Sequence, residues 1–208
     1  MQGWKIIPQL ALRRFKKLGR IIRQRYFQDF IFIHINRTGG SSIEKALGIP
    51  LEHMSAEIKI RELGLETWEN KFTFSVIRNP WDKVVSHYWH RWNRDQAGIQ
   101  TDEIGFSEWV QLTYGQQDPR YYNKPKMFQP QVWWLADQAG KILVDKVIRF
   151  ESLETGFNEV CQHLGITREL PHLKSSPRED YRHYYSPETR AIVQKWFNED
   201  LEEFDYEY

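Results

Sequence analysis

A single cysteine, Cys161, stands among the 208 residues. That scarcity excludes an intramolecular disulfide, and no Cys/His cluster has the spacing of a structural zinc site. Cys161 is expected to be a small buried side chain in a helix, and nothing demands an oxidising compartment. Long apolar runs are missing too. No stretch approaches the ~20 residues of a spanning helix, and the N-terminus lacks an apolar signal core with a small-residue cleavage site. A soluble, cytoplasmic protein is the expectation. Acidic residues are absent from positions 1–28, which hold eight Lys/Arg. Removing these from the total of 29 leaves 21 basic residues against 28 acidic. The formal net charge of +1 therefore hides a basic head on a body of −7, and no nucleic-acid partner is expected.

What the chain does have is aromatic residues, nine of them Trp. They point to a broad aromatic surface or groove as well as a core. The length suits one domain. In the basic head, Ile7, Ala11, Phe15, Leu18, Ile22 and Tyr26 recur at spacings of three and four, with Arg13, Lys16, Arg20 and Arg23 opposite. Residues 8–27 thus predict an amphipathic helix with Pro8 in its first turn. It suits either peripheral contact with an anionic membrane surface or packing on its own domain with the basic face solvated. Residues 1–28 are set apart as this helix and 29–208 as the main domain.

Residues 30–35, FIFIHI, are a continuous apolar run, as expected for a strand buried on both faces. The run stops at Asn36, and Arg37, Thr38, Gly39 and Gly40 lead into a helix beginning at Ser41 and Ser42. Ser55 predicts the cap of a helix ending before Gly64. Residues 72–77 predict a second strand, followed at Pro80 by a helix to about Trp92. The polar segment 93–126 predicts one short helix near Phe106 to Leu112 within a lid or acceptor-side insertion. A helix over 129–139, a strand over 143–150, a helix over 152–164 and one closing helix over 186–204 complete the pattern. Alternating strands and helices predict an α/β fold, a P-loop-like three-layer arrangement with a central parallel sheet flanked by helices.

The turn at residues 37–42 supplies open backbone N–H groups at a helix N-terminus, a ready anion site. It departs from the GxxxxGK(S/T) pattern of ordinary ATP-binding loops. Arg78, at the carboxyl end of the second strand, is placed for a second anion, and Ser86 on the next helix adds a hydroxyl. An ion pair between Arg78 and Asp82 is the plainer alternative. Two anion sites on neighbouring strands imply a ligand with two separated anionic groups.

At this point the residues resemble a family. Residues 32–42, FIHINRTGGSS, are similar to the HIPKTGG(S/T)S loop of carbohydrate sulfotransferases related to the heparan sulfate 2-O- and chondroitin enzymes. Residues 74–82, FSVIRNPWD, with Ser86 and Tyr88, resemble their FVRNPWDRxVSxY motif. Similarity continues at Arg149–Leu153, Cys161–Gly165, Tyr184–Pro187 and Phe204–Tyr206.

The resemblance implies a sulfotransferase using 3′-phosphoadenosine-5′-phosphosulfate (PAPS), with 3′-phosphoadenosine-5′-phosphate (PAP) as product, no metal, and a carbohydrate or other hydroxyl acceptor. It implies that Arg37, Thr38, Gly39, Gly40, Ser41 and Ser42 cradle the 5′-phosphosulfate. Arg78 and Ser86 would hold the 3′-phosphate, and the loop 174–178 would cover the nucleotide. Arg37 stands where the family has Lys, an always-charged fork in place of a compact donor. As donor to the leaving oxygen it still offsets charge.

A base is also required. His53 matches the place of the catalytic His in 2-O-sulfotransferase-like enzymes, with Glu52 beside it to orient the ring and Glu44 and Glu57 as carboxylate competitors. His34 is expected to be structural, and His87 and His90 follow Arg78 on its helix. A kinase-like phosphotransferase and a non-catalytic PAP-binding module remain the alternatives.

Overall fold

A computed structural model describes residues 9–171 and 179–208, with side chains described from residue 14 onward. Among these residues, strands β1 (Phe30–Ile33), β2 (Phe72–Ile77) and β3 (Lys146–Arg149) pair in parallel in the order β1-β2-β3. The register sets Phe30 beside Phe72 and Phe74 beside Lys146. The continuous apolar run of β1 has the cause expected of it, because both faces of the sheet are covered. Ile31 and Ile33 join a layer containing α3 (Ala56–Leu63), α4 (Leu65–Glu69), α7 (Gln131–Leu135) and α10 (Asn198–Phe204). Phe32, Phe74, Val76 and Ile148 meet α2 (Gly40–Leu47) and α8 (Leu153–His163) on the other side. The molecule is thus the α/β arrangement of helices on both faces of a parallel sheet. Cys161 is buried in α8 as a free thiol.

A third cluster lies off the sheet. Trp81, Val84, Val85 and Tyr88 of α5 (Pro80–Trp92) pack with Phe106, Trp109 and Val110 of α6 (Phe106–Val110) and with Val193 of α9 (Pro187–Trp196). This overturns two expectations. Segment 93–126 is not a lid, since Ile99, Phe106, Trp109, Tyr114 and Tyr121 are core residues. The tryptophans form no broad aromatic surface either: Trp68, Trp81, Trp109 and Trp134 are buried, and Trp133 is the exposed one among the described residues.

Several boundaries shift for local reasons. The helix over 129–139 shortens to α7 because Ala136 leaves helical geometry to bridge Ile142. For the same reason β3 begins at Lys146, after that bridge and its Gly140 turn. The closing helix breaks at Phe197, whose φ of −106° and ψ of 23° turn its fully buried ring into the core. Ser186 does cap α9, in a reciprocal pair with Thr189. Ser55 precedes α3 but its side chain accepts no capping bond.

α1 (Gln9–Tyr26) runs nearly as far as the pattern predicts, while Pro8 lies outside the described residues. Its packing inverts the usual polarity of a surface helix. Arg20 bonds Glu62 at 2.9 Å and Glu52 at 2.8 Å, and Gln24 accepts from buried Lys59 at 2.8 Å. The polar face is the one held by the domain. Phe15, Leu18, Ile22 and Tyr26 are exposed instead. No helix among the described residues is long and apolar enough to cross a membrane.

Candidate active site

Both candidate anion loops lie at the carboxyl end of the sheet, where β1 and β2 hand over to α2 and α5. The first loop is built by its own residues. Arg37 adopts φ 68°, a left-handed conformation costly for a side-chain-bearing residue. Gly39 follows at φ 84°, where an added Cβ would stand 2.9 Å from Leu153 Cδ2. At Gly40 a Cβ would fall 2.1 Å from His34 Cδ2, so only glycine lets α2 start against that ring. No side chain caps α2, which leaves its N-terminal dipole to an anion. Ser41 lines the neighbouring cavity. Ser42 donates its backbone N–H to the Gly39 carbonyl at 3.0 Å. Thr38 contributes differently from expectation: its side chain is wholly buried, and Oγ1 donates to the Ile35 carbonyl at 2.9 Å. Its hydroxyl shapes the loop from inside.

The second loop is held by distant residues. Gln131 grips the Arg78 backbone from both sides, accepting its N–H and donating to its carbonyl at 2.9 Å each. Asp200 carries Gln131, accepting from the backbone N–H groups of Gln131 and Val132 at 2.8 Å. Burial pushes the Asp200 carboxyl up to about 6, against those N–H groups and Lys83, which favour its charged form. Glu151 accepts from Asn79 N–H at 2.8 Å, and Asn79 donates to the Glu207 carbonyl at 2.8 Å. The Asn79 side chain also caps α5 through the N–H groups of Trp81 and Asp82.

The Arg78 guanidinium bonds Asp82 at 2.6 Å and the Arg37 carbonyl at 3.0 Å, and lies 4.0 Å from the Phe150 ring centroid. The Arg78–Asp82 pair is therefore present. Arg37 donates to Ser86 Oγ through Nε at 3.0 Å and Nη2 at 2.8 Å. Thus the residues expected at two separate anions, Arg37 and Ser86, touch each other.

A cavity of about 340 Å³ opens beside them, lined by His34, Arg37, Ser41, His53, His90 and Arg91 among others. His53 Nδ1 donates to the His34 carbonyl at 3.0 Å, which leaves Nε2 as the nitrogen with the lone pair. Burial lowers the His53 pKa below the usual 6.5, although the His34 carbonyl opposes the shift. His34, expected to be structural, is buried with its Nδ1 bonded to Glu44 at 2.8 Å, and it also lines this cavity. That same Glu44 oxygen accepts the Glu52 N–H at 3.0 Å, so Glu44 supports the histidine pair from beneath. Glu57 belongs to a different cleft, with Arg61 and Trp133. Glu52 does not orient His53, because its carboxylate is drawn to Arg20 and Lys59. Instead Lys126 Nζ bonds the His53 carbonyl at 2.5 Å.

Three contributors, Arg94, Gln131 and Asp200, escaped the sequence reasoning, and His90 was placed on its helix without a role. His90 Nδ1 accepts from Arg37 and from Arg94, each at 2.9 Å. Burial, then the Arg37 charge, drives its pKa down to about 4. Ser86, His90 and Arg94 recur every four residues, a helical stripe legible in the sequence. Gln131 and Asp200 carried no such signal. His87 is buried against Trp109 and Phe128, and burial holds it neutral. The loop 174–178 lies outside the described residues.

Comparison with family models matches residues 24–207 to the sulfotransferase family. Comparison with curated proteins finds no match. Among solved structures, a sulfotransferase from Alicyclobacillus acidocaldarius aligns over 92% of this chain and 89% of its own, with a TM-score of 0.40 and 14% identity.

Proposed function

Because the chain belongs to the sulfotransferase family across residues 24–207, we propose that it transfers the sulfuryl group of PAPS to a hydroxyl of a carbohydrate acceptor. The observation that carries this reading is the shared cavity of Arg37 and His53, in which the His53 ring keeps one nitrogen free for a proton. The residues present suit the co-substrate. An uncapped helix and Arg37 suit the 5′-phosphosulfate, and Arg78 with Ser86 suits the 3′-phosphate.

In the reaction His53 Nε2 accepts the acceptor hydroxyl proton as that oxygen bonds to sulfur. The bond from sulfur to the bridging oxygen breaks, and its electron pair stays with PAP. Arg37 offsets the charge gathering on that oxygen. Ser86 and His90 hold the Arg37 guanidinium, so a planar donor is fixed where the family has a flexible Lys. This requires Arg37 to share its donors between Ser86 and the phosphosulfate.

Transfer of radiolabelled sulfate from PAPS to a panel of glycans, lipids and small alcohols tests the reading. Label is expected on a glycan hydroxyl. PAP binding with no label on any acceptor would replace it with a non-catalytic PAP-binding module, the alternative favoured by the engagement of Arg37 with Ser86.

A further inference from the structure

Five of the large apolar side chains exposed among the described residues, Phe15, Leu18, Ile22, Tyr26 and Phe27, lie on or directly after α1. The remaining three, Leu51, Leu65 and Trp133, are dispersed. Phe15, Leu18, Ile22 and Tyr26 follow spacings of three and four and form one stripe along the helix. At 3.6 residues per turn, Arg14 and Arg25 flank the stripe on one side and Lys16 and Arg23 on the other. No acid occurs anywhere in residues 1–28. The opposite face is already engaged, through Lys17 and Arg20 to Glu62, Arg20 to Glu52 and Gln24 to Lys59.

We propose that this stripe seats on an anionic lipid bilayer. The fold fastens α1 by its charges and by Ile21, which packs toward the core, and turns the Phe15, Leu18, Ile22 and Tyr26 stripe outward. A bilayer supplies an apolar depth for the stripe and a continuous negative plane for the cations on both its edges. A second copy meeting face to face would set acid-free helices against each other, and like charges oppose that pairing. The cleft of Glu57, Glu199, Glu202 and Glu203 could attract α1 of another molecule, but such a head-to-tail contact would build rings or open chains of copies and leaves the apolar stripe without an apolar partner.

Docking would reach the site through covalent neighbours. Arg20 contacts Glu52 and lies 3.9 Å from Met54 Sδ, and these two residues flank His53. Exposed Leu51 lines the His53 cavity. The stripe and the cavity mouth are therefore linked by one short segment.

The test is sedimentation of the full chain with vesicles of phosphatidylcholine, with and without phosphatidylserine. Binding is expected only with phosphatidylserine, and to weaken as salt rises. The Leu18→Ser/Ile22→Ser variant should lose more than about tenfold of its partition, the order expected for two buried aliphatic side chains. Both positions are exposed, so circular dichroism and thermal unfolding should not change. If that variant nevertheless misfolds, Arg14→Glu/Lys16→Glu supplies the second measure and should flatten the salt dependence. Equal sedimentation with neutral vesicles, or none with either, would overturn the proposal. So would a dimer or chain of copies in light scattering that Leu18→Ser/Ile22→Ser dissolves in the absence of lipid.

Discussion

The two loops at the carboxyl end of the sheet perform related tasks by opposite construction. Residues 37–42 shape themselves, by a left-handed Arg37, two glycines and a Thr38 hydroxyl turned inward. Residues 78–86 are positioned by Gln131, Glu151, Asp200 and Glu207. A self-shaped loop is read from its own letters and tolerates change elsewhere. A clamped loop inherits the stability of every element that holds it. Under the proposed function the first loop serves the chemistry and the second the grip on the nucleotide.

The largest effect is expected at His53, which shares a cavity with the first loop: His53→Ala should remove about 10²–10⁴ of the transfer rate while PAP affinity stays unchanged. The wild-type rate should also rise with pH through a midpoint below 6.5, because burial favours the neutral imidazole. Loss of PAP binding in His53→Ala, or a midpoint above 6.5, would break the contrast. On the gripping side, Arg78→Ala should cost about 2–4 kcal/mol of PAP binding, as expected for truncating a buried charge partner. Calorimetry giving equal wild-type affinity for PAP and adenosine 5′-phosphate would dismiss a dedicated 3′-phosphate site.

Further from the nucleotide, Asp200→Ala strands backbone N–H groups that it now satisfies. Urea unfolding should register a loss of about 2–3 kcal/mol, accompanied by weaker PAP binding. Undiminished PAP affinity in a destabilised variant would show that the clamp serves folding alone. The smallest effect belongs to Thr38→Val, about 1 kcal/mol of stability from one buried hydrogen bond. PAP affinity should be retained, and a large fall in it would return the hydroxyl to the ligand.

This difference also explains what was legible in the sequence. Both strand-to-helix handovers could be read because their causes are local: apolar runs, a Gly-Gly turn, a Pro after a strand. His53 was reached only through family resemblance, and the bond that orients it comes from the backbone of His34, which has no residue signature. Glu52 was assigned to His53 because it is adjacent in sequence, yet it answers to Arg20 and Lys59. Segment 93–126 looked polar and insertion-like because its aromatic residues are widely spaced. Their burial depends on α5 and α9, elements far along the chain. The reversed polarity of α1 was equally hidden, since periodicity identifies two faces but not which one meets the domain.

The clamp on Arg78 also imposes an order in time. Asn79 and the Glu207 carbonyl it bonds are 128 positions apart. At roughly 5–20 residues per second of synthesis, about 6–26 s separate their appearance from a ribosome. The loop at residues 37–42 has its local determinants almost at once, whereas the Arg78–Asn79 loop is held only as Gln131, Asp200 and Glu207 are made. Until Gln131 is made, Arg78 is a charged side chain with an unclamped backbone. PAP added during translation should accordingly protect from protease only chains extended past Glu207.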